Sequence, residues 1–314
     1  MTTLERLNRW HRGGLLTDGE HSVITAIVRK DRFSVFLELN ALLYIGVLAI
    51  AAGLAWTIQT SFEDLGDAAI VLVLSAALSG CFYYCFSRGR AYSAGAVESP
   101  SLAFDYVLYL GCLIFAIELA YFEIRFQILR TAWDYHVLGS ALVFFALAYR
   151  FDNRFVLPLG LSTLAAWFGI KLTSMGFDSP GSLRPSALIY GALVAGAGVA
   201  LHRLAIKGHF LETYLHVAAN VIFLALFSGT VEESFHPLYL LALLALCGVA
   251  IWLGSQHRSF AFVAYGVLYA YAGITAALAR LISGPTVAML YFVVSGIAVL
   301  VLLVYLARRF GREE

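Results

Sequence analysis

Glu212, His216 and Asn220 stand four residues apart, so on an α-helix they share one face. A carboxylate one turn from an imidazole can take up and pass on a proton near neutral pH, and the amide of Asn220 would continue that line. His202 and His209 come just before them. The spacing also suits a metal ion, but E-x-x-x-H lacks the second His and the Glu of a zinc-peptidase helix, so no metal is assigned. The structural alternative is a helix entering from water, with its first two polar residues at headgroup depth and Asn220 bonded to a neighbouring helix.

A second group is acidic. Glu118 lies within an apolar stretch and Glu123 near its end, Asp134 and His136 open the next, and Glu232, Glu233 and His236 flank a later one, while Glu63, Asp64 and Asp67 share a loop. Gathered at one mouth, such acids would draw cations. They are also what remains when Lys and Arg are kept off one side of a membrane. Glu118 sits between Ile117 and Leu119 and must find a partner, which Arg125 or Asp134 with His136 is expected to supply. Asp105 is expected to be neutralised by Arg88 or Arg90. No stretch reads as a catalytic or cofactor motif, and no cofactor is assigned.

The elements that position these groups follow from composition. Of 314 residues, 61% are hydrophobic and 13% charged, which a soluble domain cannot tolerate without exposing large apolar patches. Lipid is the solvent that fits. About 20 apolar residues cross ~30 Å of hydrocarbon as a helix, because every backbone N–H and C=O must there be paired internally. Ten such stretches are read near 37–59, 68–87, 102–123, 133–149, 155–172, 186–203, 212–228, 236–254, 260–282 and 286–306. No stretch carries an interior proline; Pro158 and Pro237 lie within a turn of helix starts. The reading is an all-α polytopic transmembrane bundle of about ten spans.

Ten spans put Arg125, Arg130, Lys171, Arg184 and Arg280 on one side and the other sixteen of the 21 Lys and Arg on the opposite side. Cytoplasmic loops retain positive charge, so both termini are expected in the cytoplasm. A near-neutral total, +1, argues against nucleic acid as a partner. The basic turns at Arg88-Gly89-Arg90, Arg150 to Arg154, His202 to His209 and His257-Arg258 recur along the chain, which suggests helical hairpins in series. Gly191, Ala195 and Gly196, and Gly266 with Gly273, make small-residue faces read as internal packing surfaces. Cys81, Cys85, Cys112 and Cys247 all fall within spans and are read as small apolar fillers.

Three segments result: a cytoplasmic amphipathic helical hairpin over 1–36, a ten-helix transmembrane domain over 37–306 and a basic cytoplasmic tail over 307–314. In the first, Leu4, Leu7 and Trp10 or His11 recur at helical spacing, Gly13-Gly14 breaks the helix, and Thr17 with Glu20 forms a T-x-x-E capping box for a second helix striped by Val23, Ile24, Ile27 and Val28. So short a pair must pack on itself imperfectly, on the membrane face, aided by Arg29, Lys30 and Arg32, or on a protein partner or second copy.

The run Trp10-His11-Arg12-Gly13-Gly14-Leu15-Leu16-Thr17-Asp18-Gly19-Glu20, with the later Phe155-Val156-Leu157-Pro158-Leu159-Gly160 and Trp167-Phe168-Gly169, resembles a bacterial predicted membrane protein family, the domain of unknown function 2157. The likeness is strongest over roughly the first 170 residues. It implies a bacterial inner membrane and transfers no catalytic residue. The hairpin is also similar to short bacterial oligomerisation motifs. The function expected is transport of a small solute or ion, linked to protons. The alternative is a scaffold or sensor acting through residues 1–36 on a homo-oligomer or protein partner, and a lipid-modifying enzyme is the least favoured.

Overall fold

The computed structural model describes residues 3–21, 25, 36–60, 66–232, 237–281 and 284–310. Val23, Ile24, Ile27, Val28, Arg29, Lys30, Arg32, Glu63, Asp64, Glu233 and His236 lie outside them. All regular structure among the described residues is helical. The helices are α1 (Thr3–Arg12), α2 (Phe36–Thr60), α3 (Asp67–Arg88), α4 (Leu102–Phe126), α5 (Asp134–Phe151), α6 (Val156–Ser174), α7 (Pro180–Arg203), α8 (Leu211–Val231), α9 (Pro237–Gln256), α10 (Phe260–Ala279) and α11 (Pro285–Phe310).

The ten long helices α2 to α11 stand where the ten apolar stretches were read. Eight are long and apolar enough to cross a membrane. The other two are α2, whose described apolar part is the shorter Leu42–Thr57, and α5, which carries Asp134, His136 and Arg150. Two boundaries differ by more than a turn: the last helix runs on to Phe310, past the expected 306, and the other is the start of α7. The sixth span was expected from 186, but α7 begins at Pro180, with Pro185 inside it. Pro180 occupies the first turn, where its missing N–H is no loss, and the Leu183 N–H closes on Ser179 O at 3.0 Å, so the helix starts upstream of the second proline. One span therefore does contain an interior proline.

Hairpins in series are what the chain builds. The pairs α3/α4, α5/α6, α7/α8 and α9/α10 each pack along their length and turn at the same, basic end. Apolar helices gain little from meeting one another in lipid, so close backbone approach and interhelical hydrogen bonds must hold them. The glycines permit that approach. A Cβ at Gly191 would lie 2.5 Å from Ile222 Cγ1, at Gly198 2.6 Å from Tyr214 Cβ, and at Gly266 2.6 Å from Ile251 Cγ1. The approaches at Gly191, Gly198 and Gly266 are spent inside the protein, α7 on α8 and α10 on α9, whereas Gly196 of the expected face is exposed with nothing within 4 Å.

Two cores result. The larger joins α2 to α8 around Phe104, Phe144, Leu157 and Tyr214, with Tyr149 and Tyr214 hydroxyls 2.9 Å apart tying α5 to α8. The smaller gathers Phe223 and Leu226 of α8 with Leu243 and Cys247 of α9. α11 packs on α10 through Tyr271–Ser295 and Thr275–Tyr291 hydrogen bonds of 3.1 and 3.0 Å, and its outward face is apolar and exposed.

At the N-terminus α1 ends where expected: Gly14 takes φ 72°, in the left-handed region, and Gly13 N–H closes on Arg9 O. The capping box forms. Thr17 donates its backbone N–H to Glu20 Oε2 at 2.9 Å and its hydroxyl to the same oxygen at 2.7 Å. His11 and Asp18 close the turn with a 2.7 Å hydrogen bond.

Candidate functional site

Three polar constellations stand on this frame. The first is the α8 line. His216 Nε2 lies 3.6 Å from Glu212 Oε1, and the Asn220 amide donates to His216 O at 2.8 Å while its Oδ1 accepts from Tyr269 at 3.4 Å. Glu212, at 65% exposure, is open to the surroundings. His216 is stacked on Phe262, ring centroids 4.7 Å apart, and edge-on to Tyr265. Its Nδ1 is buried without a hydrogen-bond partner.

Glu212 also lines a cavity of about 720 Å³ between α7, α8, α9 and the start of α10. The walls are apolar: Leu215, Ala219, Ile222 and Phe223 from α8, Leu246, Val249, Ala250 and Leu253 from α9, Ala195 from α7 and Phe262 from α10. Its polar residues, Glu212, His257 and Ser259, are all at the basic end. Exposed Val249 and Leu253 leave it open sideways. Toward the opposite end it is closed by the smaller core, where Phe223 and Leu243 are almost wholly buried, and by Tyr239, which presses on Gly229.

Beyond that closure the same helices are tied together. Arg184 of α7 donates through Nη1 to Glu232 Oε2 at 2.5 Å and through Nε to Ser228 of α8 at 3.1 Å. Arg280, just after α10, donates to Thr230 O at 3.1 Å and to Glu232 O at 2.5 Å. The ends of α7, α8 and α10 opposite the cavity mouth are thus tied together.

The remaining outer groups bind one another between neighbouring helices. Arg125 Nε donates to both carboxylate oxygens of Asp67 at 2.8 Å, with the Tyr121 hydroxyl on Oδ1. His136 Nε2 is 2.6 Å from Glu123 Oε2, which also accepts the Leu129 N–H. Lys171 reaches Asp134 at 3.2 Å and sits over the Tyr135 ring. Glu118 takes none of its expected partners: buried between α3 and α4, it accepts from Ser75 Oγ at 2.5 Å, and its Oε2 has no hydrogen-bond partner. Arg125 is drawn to Asp67 because the two end adjoining helices at one depth.

The third constellation lies at the basic end. Asp105 does not meet Arg88 or Arg90; it accepts from Ser99 at 3.0 Å and from the Asn153 amide at 2.8 Å. Asn153 in turn receives the N–H groups of Phe155 and Val156, each at 2.9 Å, opening α6. Next to it Asp152, 2% exposed, binds Lys207 at 3.1 Å, His209 at 2.5 Å and the Val97 N–H at 2.5 Å. Lys207 also donates to Gly95 O at 3.1 Å. The cluster straps the 89–101 segment across the turns of two hairpins. Its sequence signal was an acid set among arginines in a short turn, and nothing in the spacing paired it with Lys207 or His209.

Residues 8–157 match the model of the family described as Predicted membrane protein (DUF2157). Comparison with the curated proteins and with the solved structures found no match. The DUF2157 stretch covers the second half of α1 and runs on through α5 to the start of α6, which takes in Asp105, Glu118, Asp134, His136 and the Asp152 side of the strap. The α8 line and the cavity lie beyond it.

Proposed function

We propose that this multi-pass membrane protein is a carrier of the bacterial inner membrane, with both termini cytoplasmic, that takes a small solute from the cytoplasmic side and links its movement to a proton held between Glu212 and His216. The observation that carries this reading is the cavity at the basic end, which Glu212 lines, with His216 one helical turn along α8 from Glu212 and packed behind the cavity's Phe262 wall. The unpartnered His216 Nδ1 offers a place for the transferred proton. Closure by Phe223 and Leu243, together with the Arg184–Glu232 clamp, supports an inward-open state. Positive charge held at the open end supports the orientation.

The test uses the full chain in proteoliposomes loaded with a pH-sensitive dye. An imposed membrane potential should drive proton uptake, and Glu212→Gln and His216→Ala should each abolish it without loss of folded protein. Uptake unchanged in both variants, or none in the parent, removes the mechanism.

A second reading rests on the N-terminal turn, which the capping box and the His11–Asp18 pair close while leaving Trp10 and Leu15 exposed. An exposed apolar pair on a held turn supports a scaffold that binds a second copy or a protein partner. Removing residues 1–32 should then lower the oligomeric mass in detergent, and an unaltered mass counts against it.

A further inference from the structure

The cavity's shape and charge also speak to what it would hold, and this step rests on the carrier reading above. Its α8 wall runs from Glu212 to Phe223, ~16 Å at about 1.5 Å per residue, which is about half the ~30 Å hydrocarbon thickness. Polar atoms occur only at the basic end, and the rest is a sleeve of Leu, Ile, Val, Ala and Phe open sideways to lipid. A fully hydrated ion would find no ligands along such walls. A hydrocarbon chain would.

The head group is decided by charge. Among the described residues lining the cavity, Glu212 is the one Asp, Glu, Lys or Arg side chain, with His257 and Ser259 as hydrogen-bonding groups at the same end. A phosphate or sulfate head would meet a like charge there. A protonated amine would gain a charge-assisted hydrogen bond. We infer that the cavity takes an amphiphile with a single hydrocarbon chain of about a dozen carbons and a cationic amine head, drawn laterally from the leaflet at the basic end. Because the chain gains little by leaving lipid for an apolar wall, selection falls on the head group and on the fit of the chain.

The experiment measures saturable retention of radiolabelled dodecylamine by the full chain in phosphatidylcholine nanodiscs, with dodecyl phosphate, dodecanol and methylamine as competitors. Unlabelled dodecylamine alone should displace the probe. Glu212→Gln should weaken retention roughly tenfold, the effect of losing one charge-assisted hydrogen bond. Glu212→Lys, at an exposed position that tolerates exchange, should turn the preference to dodecyl phosphate. Val249→Trp, on the exposed wall, should obstruct the sleeve and lower retention of either amphiphile by its own variant. Equal displacement by dodecyl phosphate or dodecanol, or a Glu212→Lys protein that still prefers the amine, overturns the inference. Displacement by methylamine overturns the part assigned to the chain. Proton uptake without amine retention sinks this ligand class alone, whereas retention without uptake upholds it and sinks the carrier.

Discussion

Lys207 Nζ lies 3.1 Å from Asp152 Oδ2, with the lysine side chain wholly out of solvent and the aspartate 2% exposed. Each residue takes a positive φ, 48° and 56°, at the turn of a different hairpin, so the pair exists only where the two turns meet. Breaking a buried pair leaves one charge desolvated and uncompensated. Asp152→Ala should therefore destabilise the protein by about 3–5 kcal/mol, read as a lower unfolding midpoint in detergent. Adding Lys207→Met should restore part of the loss. A single variant as stable as the parent would show that the strap holds nothing.

Arg184, at 10% side-chain exposure, and Glu232, at 30%, clamp the ends of α7 and α8 opposite the cavity mouth. Glu232→Ala should cost roughly 1–3 kcal/mol, the range for a hydrogen bond to a charged group. It should also raise the alkylation rate of Cys247, which is 2% exposed in the closure beneath the clamp. Cys85 and Cys112, buried in the other core, serve as internal standards by peptide mapping. Equal rates for Cys247 in parent and variant would separate the clamp from the closure.

Gly266 and Gly196 lie on helices of similar composition but in opposite circumstances. A Cβ at Gly266 would stand 2.8 Å from the Cys247 carbonyl oxygen as well as close to Ile251, and a backbone carbonyl cannot swing aside. Around Gly196 nothing lies within 4 Å. Gly266→Ala should destabilise by about 1–3 kcal/mol through forced separation of α9 and α10, while Gly196→Ala should leave the melting midpoint unchanged or slightly raised.

The Thr17 backbone N–H, and next its hydroxyl, hold the Glu20 carboxyl below the usual glutamate range. A lowered folded-state pKa means that the cap is fully formed above the unfolded value, about 4.3, and is lost as pH falls through the folded one. Hydrogen exchange at the Thr17 amide should accelerate, after correction for intrinsic rates, only on acidification below that range. Glu20→Gln should remove this dependence.

Much of the candidate site could be read before any contact was known, yet not its partners. The α8 line was legible because four-residue spacing on a helix leaves no freedom about which face Glu212, His216 and Asn220 share. Small-residue faces at Gly191 and Gly266 were legible for the same reason. Glu118 was expected to meet Arg125 or Asp134 with His136 and meets Ser75, while Asp105 was expected to meet Arg88 or Arg90 and meets Ser99 and Asn153. Those choices depend on how each helix is rotated about its axis and on which helix lies beside it.

The cavity itself had no signature, since Leu215, Ala219, Val249 and Leu253 are ordinary apolar residues on any span. By itself the amino-acid sequence determined a helical bundle in lipid, its hairpin order and the end at which its positive charge collects, because backbone groups in hydrocarbon must be satisfied within each helix and charge must stay in water. Only the tertiary structure decided where helices part to leave a cavity and which buried charge answers which. Those are properties of neighbours far apart along the chain, set by side-chain shape and interhelical hydrogen bonds rather than by hydropathy.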